Sequence, residues 1–232
     1  MGAENLNSFI LDAYFYGLRR DAHQLLVWGH QEALPQIHCD LEEEEITGLI
    51  VEAMREKLKD TAIPERFYDR YSVGEEKPLA VEGRTGKHRR KLDIVVESNL
   101  PREVRPEYIF ESKRLRKKSK QPQKGGFPIG EYVGEDGLQC FVKGIYASQY
   151  PEAAMVGYVQ NDTASYWESE LKRRFDGDPN NDLRIIQRLQ KVQVLSSMPN
   201  VWVSEHERIT GSAIAVYHIL LNCSASSAQT AS

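Results

Sequence analysis

The chain has 232 residues, of which 41% are hydrophobic and 28% are charged, a composition typical of one soluble domain with a single core. Its three cysteines are too few and too scattered to form a zinc site or a disulfide framework. No apolar run reaches the roughly twenty residues of a membrane helix, and the N-terminus lacks the pattern of a signal sequence. We therefore expect a cytoplasmic protein that does not associate with membranes.

Helical patterns fill the first part of the chain. Apolar residues recur at helical spacing over residues 6–33, which predicts one or two helices in an N-terminal extension spanning residues 1–38. Asp40 is the expected N-cap of the next helix, because Glu43 three residues later would complete a capping box. That helix is predicted to end near Leu58 and to begin the core of the domain, residues 40–160.

Runs of β-branched, aromatic or alternating residues predict strands in the rest of the chain. They occupy residues 91–96, 108–113, 153–159, 201–204 and 213–221, and the last two are predicted to form an antiparallel C-terminal hairpin. Helical spacing predicts helices over residues 138–146 and 163–175, whereas residues 75–78 and 125–128 indicate a turn and a loop. A single domain is predicted to end at residue 223, followed by a disordered tail over residues 224–232.

Charged side chains interrupt two of the predicted strands. Asp93 lies in the first apolar run, and Glu111 and Lys113 end the second. Because successive side chains on a strand point to opposite faces, Glu111 and Lys113 share one face and Ser112 takes the other. If the two strands pair, Asp93 can lie beside Glu111. Two adjacent carboxylates, with substrate phosphate, suffice to hold Mg²⁺, and an ammonium nearby can orient a water molecule.

A purely structural interpretation of these charges is also open. Lys113 could form a salt bridge with an acid at a strand end, and Asp93 could cap a turn or pair with an arginine. We favour the metal site, because an acid within an apolar strand is costly unless it has a charged partner or a metal.

Basic residues cluster on both sides of these acids, although the whole chain has a net charge of −4. Residues 86–124 contain thirteen Lys or Arg against five Asp or Glu, a local charge of +8. The cluster includes Lys87, Arg89 and Arg90 before Asp93, and Arg114, Arg116 and Lys117 after Lys113. Such clusters bind phosphate backbones, so they predict a nucleic-acid partner; the alternative is a solvated loop of like charges.

The strings Leu92-Asp93-Ile94-Val95-Val96 and Ile109-Phe110-Glu111-Ser112-Lys113 resemble the PD-(D/E)XK, or restriction-endonuclease-like, nuclease superfamily, over about residues 40 to 160. Leu92 stands where that superfamily usually has a proline. The resemblance implies an α/β fold with an αβββαβ core and a mixed central sheet flanked by helices, to which the N-terminal helices and the C-terminal hairpin would be added. It also implies hydrolysis of DNA, less often RNA, with Mg²⁺ or Mn²⁺.

The resemblance further implies roles for individual residues. Asp93 and Glu111 would hold the metal with the main-chain carbonyl of Ser112, and Lys113 would position the attacking water. In this superfamily the helix before the sheet often adds a third acid, for which Glu43 is preferred over Glu42. Acids in a first helical turn are, however, favoured by the helix dipole alone.

These patterns lead us to expect a Mg²⁺- or Mn²⁺-dependent endonuclease or exonuclease acting on DNA rather than RNA. By analogy it would serve bacterial antiviral or anti-plasmid defence, with a helicase, sensor or other regulatory subunit, or as a homo-oligomer. The alternatives are a catalytically silent nucleic-acid-binding or assembly subunit and an RNA-cleaving toxin. His206 and His218, on the predicted hairpin, could bind metal or transfer a proton, although packing is the commoner role of such a pair.

Overall fold

A single mixed sheet forms the centre of the computed structural model, which describes residues 3–79, 90–100, 105–117 and 128–224. Its strands are β1 (Tyr71–Pro78), β2 (Lys91–Ser98), β3 (Glu107–Leu115), β4 (Glu152–Val159), β5 (Ile185–Lys191), β6 (Val201–His206) and β7 (Ile214–Asn222). Their order across the sheet is β1-β2-β3-β4-β7-β6-β5. β4 runs parallel to both β3 and β7, and the other neighbours are antiparallel. The predicted α/β class with a mixed central sheet is confirmed.

Helices cover both faces of this sheet. They are α1 (Ala3–Ala33), α2 (Glu43–Lys59), α3 (Pro128–Val133), α4 (Leu138–Val142) and α5 (Ala164–Asp176). The buried side chains of α1 and α2 pack on one face, and those of α3, α4 and α5 pack on the other. None of the helices in the described ranges has the length and apolar character needed to cross a bilayer.

Burial on both faces explains why the central strands are apolar along their whole length. All eight residues of β4 are buried. On β3, Tyr108 and Phe110 face α1 and α2, whereas Ile109 and Leu115 face the opposite core. A charged residue in such a strand therefore lies between two packed layers, and its side chain must find polar partners within one of them.

The close approach of α1 and α2 fixes the position of α2 on the sheet. Gly29 lies at their contact, where an added Cβ would stand 2.4 Å from Cγ of Met54 and 2.7 Å from the carbonyl oxygen of Ile50. Only glycine fits this contact without movement of one of the helices.

The two edge strands were not predicted from the sequence. The turn predicted over residues 75–78 is wrong, because these residues belong to β1, which pairs with β2 at the edge of the described sheet. Edge strands tolerate such polar residues, and here Lys77 forms ion pairs with Glu97 and Glu107. β5, at the other edge, is likewise polar and half exposed. The predicted hairpin of β6 and β7 is confirmed, and β7 joins it to the central sheet beside β4.

Three helical predictions need correction. The N-cap of α2 is Glu42, not Asp40, and its amide donates to Oε2 of Glu45 at 2.7 Å. The helix predicted over residues 138–146 ends at Val142, because Gly144 adopts a φ of +68° that a helix cannot contain. Pro128, placed by prediction in a loop, is the first residue of α3. The tail predicted to be disordered lies, from residue 225 onward, outside the described residues.

Candidate active site

The antiparallel pairing of β2 and β3 brings the two acidic strand positions together. Ile94 stands opposite Phe110 in the register, so one further step along each strand places Asp93 opposite Glu111. A direct contact agrees with this register, since the main-chain amide of Ser112 donates to Oδ2 of Asp93 at 2.7 Å.

Lys113 joins the acids into one cluster. Its Nζ donates to Oε1 of Glu111 at 3.0 Å, to Oε1 of Glu43 at 2.9 Å and to the carbonyl oxygen of Ser112 at 2.6 Å. The other oxygen of Glu43, Oε2, accepts the main-chain amide of Arg114 at 2.9 Å. The structure therefore gathers the residues that the sequence singled out as metal ligands or catalytic groups: Asp93, Glu111, Ser112, Lys113 and Glu43. We call these five residues the carboxylate cluster.

The start of α2 explains which glutamate joins the cluster. Glu42 and Glu45 take part in capping the helix, and the side chain of Glu42 also forms an ion pair with Arg114 at 2.6 Å. Glu43 is thereby free to turn toward β3. Of the two candidates for the third acid, Glu43 contacts Lys113, and Glu42 lies outside the cluster with 66% of its side chain exposed.

Burial makes the cluster electrostatically costly. Glu111 is 3% exposed, and its Oε2 atom is buried without a hydrogen-bond partner. Burial, assisted by the neighbouring Asp93, raises the pKa of Glu111 well above its ordinary value. Burial also raises the pKa of Asp93 to about 6, against the opposing effects of Lys113 and the Ser112 amide. These upward pKa shifts mean that one ammonium does not offset the cost of ionising both acids.

Burial alone would lower the pKa of Lys113, but the surrounding carboxylates, Glu111 foremost, raise it. The lysine therefore stays an ammonium at neutral pH. It cannot act as a general base, but it can donate hydrogen bonds to an anion or a water molecule.

A cleft beside the cluster gives it access to solvent. Its volume is about 590 Å³, and it is bounded by Glu43 and Lys113 on one side and by the α3–α4 region on the other. That region contributes the acids Glu131, Glu135 and Asp136 to the lining. Nothing in the local sequence pattern distinguishes these acids from ordinary surface residues, so sequence reasoning did not find them.

The basic residues around the cluster are largely paired with acids. Arg114 pairs with Glu42, Arg116 with Asp40 at 3.1 Å, and Arg90 with Asp136 at 2.9 Å. Lys117 instead stands over the ring of Tyr166, with Nζ 4.8 Å from the ring centroid. Lys87 and Arg89 lie outside the described residues.

The two histidines of the C-terminal hairpin belong to a buried hydrogen-bonded chain. Ser204 Oγ lies 2.7 Å from Nε2 of His206 and 2.8 Å from Nε2 of His218. Tyr132 and the Leu183 carbonyl are their other hydrogen-bond partners, and none of these partners belongs to the carboxylate cluster. Burial lowers the pKa of His218 to about 3 and also lowers that of His206, so both imidazoles are neutral.

Within the described ranges, no group of three or more His, Cys, Asp or Glu side chains is arranged to hold a metal ion. Mg²⁺, however, is commonly bound by only one or two carboxylates with waters and substrate phosphate, a smaller set than three. The unpartnered Oε2 of Glu111 is the feature that such an ion would satisfy. The residues present therefore fit a hard divalent cation held by oxygen ligands.

Comparisons of this chain with protein-family models, with curated proteins and with solved structures find no match. Its function must therefore be argued from the carboxylate cluster, the cleft beside it and the charges around both.

Proposed function

We propose that this protein is a divalent-metal-dependent nuclease whose active site is the carboxylate cluster. The observation that supports this most strongly is the pair formed by Asp93 and Glu111. Two carboxylates lie side by side between packed layers, one of them keeps a buried oxygen without a partner, and one ammonium stands beside them. A buried carboxylate oxygen without a partner is destabilising, and a bound cation would remove that cost.

Each residue of the cluster has a role in this proposal. Asp93 and Glu111 would bind the metal with the main-chain carbonyl of Ser112, and Glu43 would add a third acid from α2. A bound Mg²⁺ or Mn²⁺ would polarise the phosphate and lower the pKa of a metal-bound water. Lys113, charged and hydrogen-bonded to both glutamates, would orient the attacking water and stabilise the charge that develops on the phosphate.

The order of elements supports a restriction-endonuclease-like core. α2 precedes an antiparallel meander of β1, β2 and β3, and the chain then passes through α3 and α4 to β4, which runs parallel to β3. This is the αβββαβ order that the resemblance implies. α1, α5 and the strands β5 to β7 would extend that core on both sides.

The surrounding charges support a polyanionic substrate. Arg114 and Arg116 lie at the end of β3, next to the cluster, and their ion pairs are partly exposed. Exposed ion pairs contribute only about 0–1 kcal/mol, so a phosphate backbone can replace the acids. Lys117, with Nζ over an aromatic ring, adds a charge with no ion pair among the described residues. We propose DNA rather than RNA as substrate, and a defence role under the control of a regulatory subunit, by the same resemblance.

A cleavage assay tests the proposed activity. Wild-type protein is incubated with single-stranded and duplex DNA and RNA, with Mg²⁺, with Mn²⁺ or with EDTA. We expect metal-dependent cleavage that Lys113→Ala abolishes while binding is retained. Lys172→Ala is the matched control, because Glu170-Leu171-Lys172 repeats the acid-x-lysine spacing and Lys172 lies on the exposed side of α5.

The outcomes separate the candidate functions. Cleavage of RNA alone would favour the RNA-cleaving toxin. Binding of nucleic acid without cleavage under any metal condition would favour a catalytically silent subunit and would overturn the proposed activity.

A further inference from the structure

A buried tyrosine lies directly beneath the carboxylate cluster, on the opposite face of the sheet. Tyr158 is on β4 and is fully buried. Its hydroxyl lies 3.1 Å from Oγ of Ser112 on β3 and 3.0 Å from Oγ1 of Thr47 on α2. One hydroxyl therefore contacts two of the three elements that carry the cluster, β3 and α2.

The direction of these hydrogen bonds can be worked out from the number of protons. The hydroxyl of Thr47 has a single proton, which it donates to the carbonyl oxygen of Glu43 at 2.9 Å. Thr47 must then accept from Tyr158, and Tyr158 in turn must accept from the hydroxyl of Ser112. The result is a directed chain from Ser112 through Tyr158 and Thr47 to the main chain of Glu43.

Both ends of this chain are residues of the cluster. The main chain of Ser112 donates its amide to Asp93 and accepts from Lys113 through its carbonyl. The carbonyl of Glu43 receives the last hydrogen bond, while its carboxylate contacts Lys113. Buried chains of this kind strengthen one another and hold their members in one arrangement.

We infer that Tyr158 is a positioning residue that sets the separation of Glu43 from the Asp93–Glu111 pair and thereby the affinity for the divalent metal. This inference rests on the proposed function. Tyr158 would contact neither the metal nor the substrate. It acts through Ser112 and Thr47, in the way that groups hydrogen-bonded to metal ligands orient those ligands.

Substitution by phenylalanine isolates the hydroxyl. Tyr158→Phe keeps the ring in the core and removes the chain's central donor and acceptor. Tyr108→Phe is the matched control, because Tyr108 is also fully buried on the same face of the sheet, and its hydroxyl contacts His23 instead. The Mg²⁺ or Mn²⁺ concentration that gives half of the maximal thermal stabilisation is measured for wild type and both variants.

We expect this concentration to rise about tenfold or more in Tyr158→Phe and to stay unchanged in Tyr108→Phe. Cleavage by Tyr158→Phe should fall at limiting Mg²⁺ and recover at saturating Mg²⁺, which a general loss of stability would not produce. Thr47→Val, which breaks the same chain at the next link, should show the same shift and serves if Tyr158→Phe fails to fold.

Two negative results have different meanings. If wild type responds to metal and both tyrosine variants bind it equally well, the inference about Tyr158 is wrong and the proposed function stands. If wild type shows no stabilisation by either metal and no cleavage, the proposed function fails, and the inference fails with it.

Discussion

Neutralising Asp93 should stabilise the metal-free protein, although the residue lies on a central strand of the sheet. The carboxylate lies partly buried beside Glu111, and burial raises its pKa from 3.8 to about 6. The folded state therefore favours the protonated acid, and the ionised form opposes folding. Asp93→Asn removes the charge and keeps an oxygen that can accept the amide of Ser112. In metal-free buffer the variant should resist denaturant better than wild type at neutral pH.

The size of the effect follows from the two pKa values. A carboxyl group whose pKa is higher in the folded state binds more protons there, so stability falls as pH rises between 3.8 and 6. The cost of the charge is about 1 kcal/mol at pH 4.5 and about 3 kcal/mol at pH 7.5, as an upper limit because Asp93 is partly exposed. For a chain of this length, about 2 kcal/mol corresponds to a rise of roughly 4–8 °C in Tm.

Urea denaturation in EDTA at the two pH values measures this difference. Glu97→Gln is the control, since Glu97 lies on the same strand in a partly exposed ion pair with Lys77 and should change stability by about 1 kcal/mol or less. Added Mg²⁺ should stabilise wild type and Glu97→Gln, but not Asp93→Asn. If Asp93→Asn were less stable than wild type at pH 7.5, or if the difference did not grow from pH 4.5 to 7.5, the electrostatic reasoning would be refuted.

The structure supports three further predictions. Lys113→Met should lower the free energy of unfolding by about 3–5 kcal/mol in EDTA, because it leaves buried carboxylates without their counter-charge. A loss below about 1 kcal/mol in urea denaturation would contradict this prediction. The double substitution Asp40→Asn with Glu42→Gln should free Arg116 and Arg114 from their ion pairs. Binding titrations should then show a DNA affinity about threefold to tenfold higher, with a steeper salt dependence. Unchanged affinity would exclude these arginines from the interface. His218→Gln should cost about 1–3 kcal/mol by disturbing the buried chain, yet leave the response to Mg²⁺ unaltered, and a lost response would link the histidines to the cluster.

The apolar centre of the fold could be predicted because its strands carry a strong pattern. β2, β3 and β4 are buried on both faces, so their sequences are continuous apolar runs that polar segments interrupt. β1 and β5 could not be predicted in this way. They are edge strands with many exposed polar residues, so they lack an apolar pattern. The ion pair of Lys77 on β1 with Glu97 on β2 cannot be predicted from local sequence.

Part of the candidate site was equally accessible from the sequence. Strand alternation placed Glu111 and Lys113 on one face, and pairing of the two strands brought Asp93 to them. Tyr158 could not be found, because its role depends on two hydroxyls that are distant in sequence and meet only in the packed core. The ion-pair partners of Arg114 and Arg116 could not be predicted either, because Glu42 and Asp40 lie more than seventy residues earlier in the sequence, just before α2.

The central claim is that Asp93 and Glu111 hold a divalent metal, and anomalous diffraction tests it most directly. Crystals soaked with Mn²⁺ should show a peak bonded to carboxylate oxygens of both residues, including the buried Oε2 of Glu111. Crystals of Asp93→Asn should lose that peak. A map with no peak at the cluster, or with manganese only on Glu131 and Glu135 of the cleft, would contradict the proposed site.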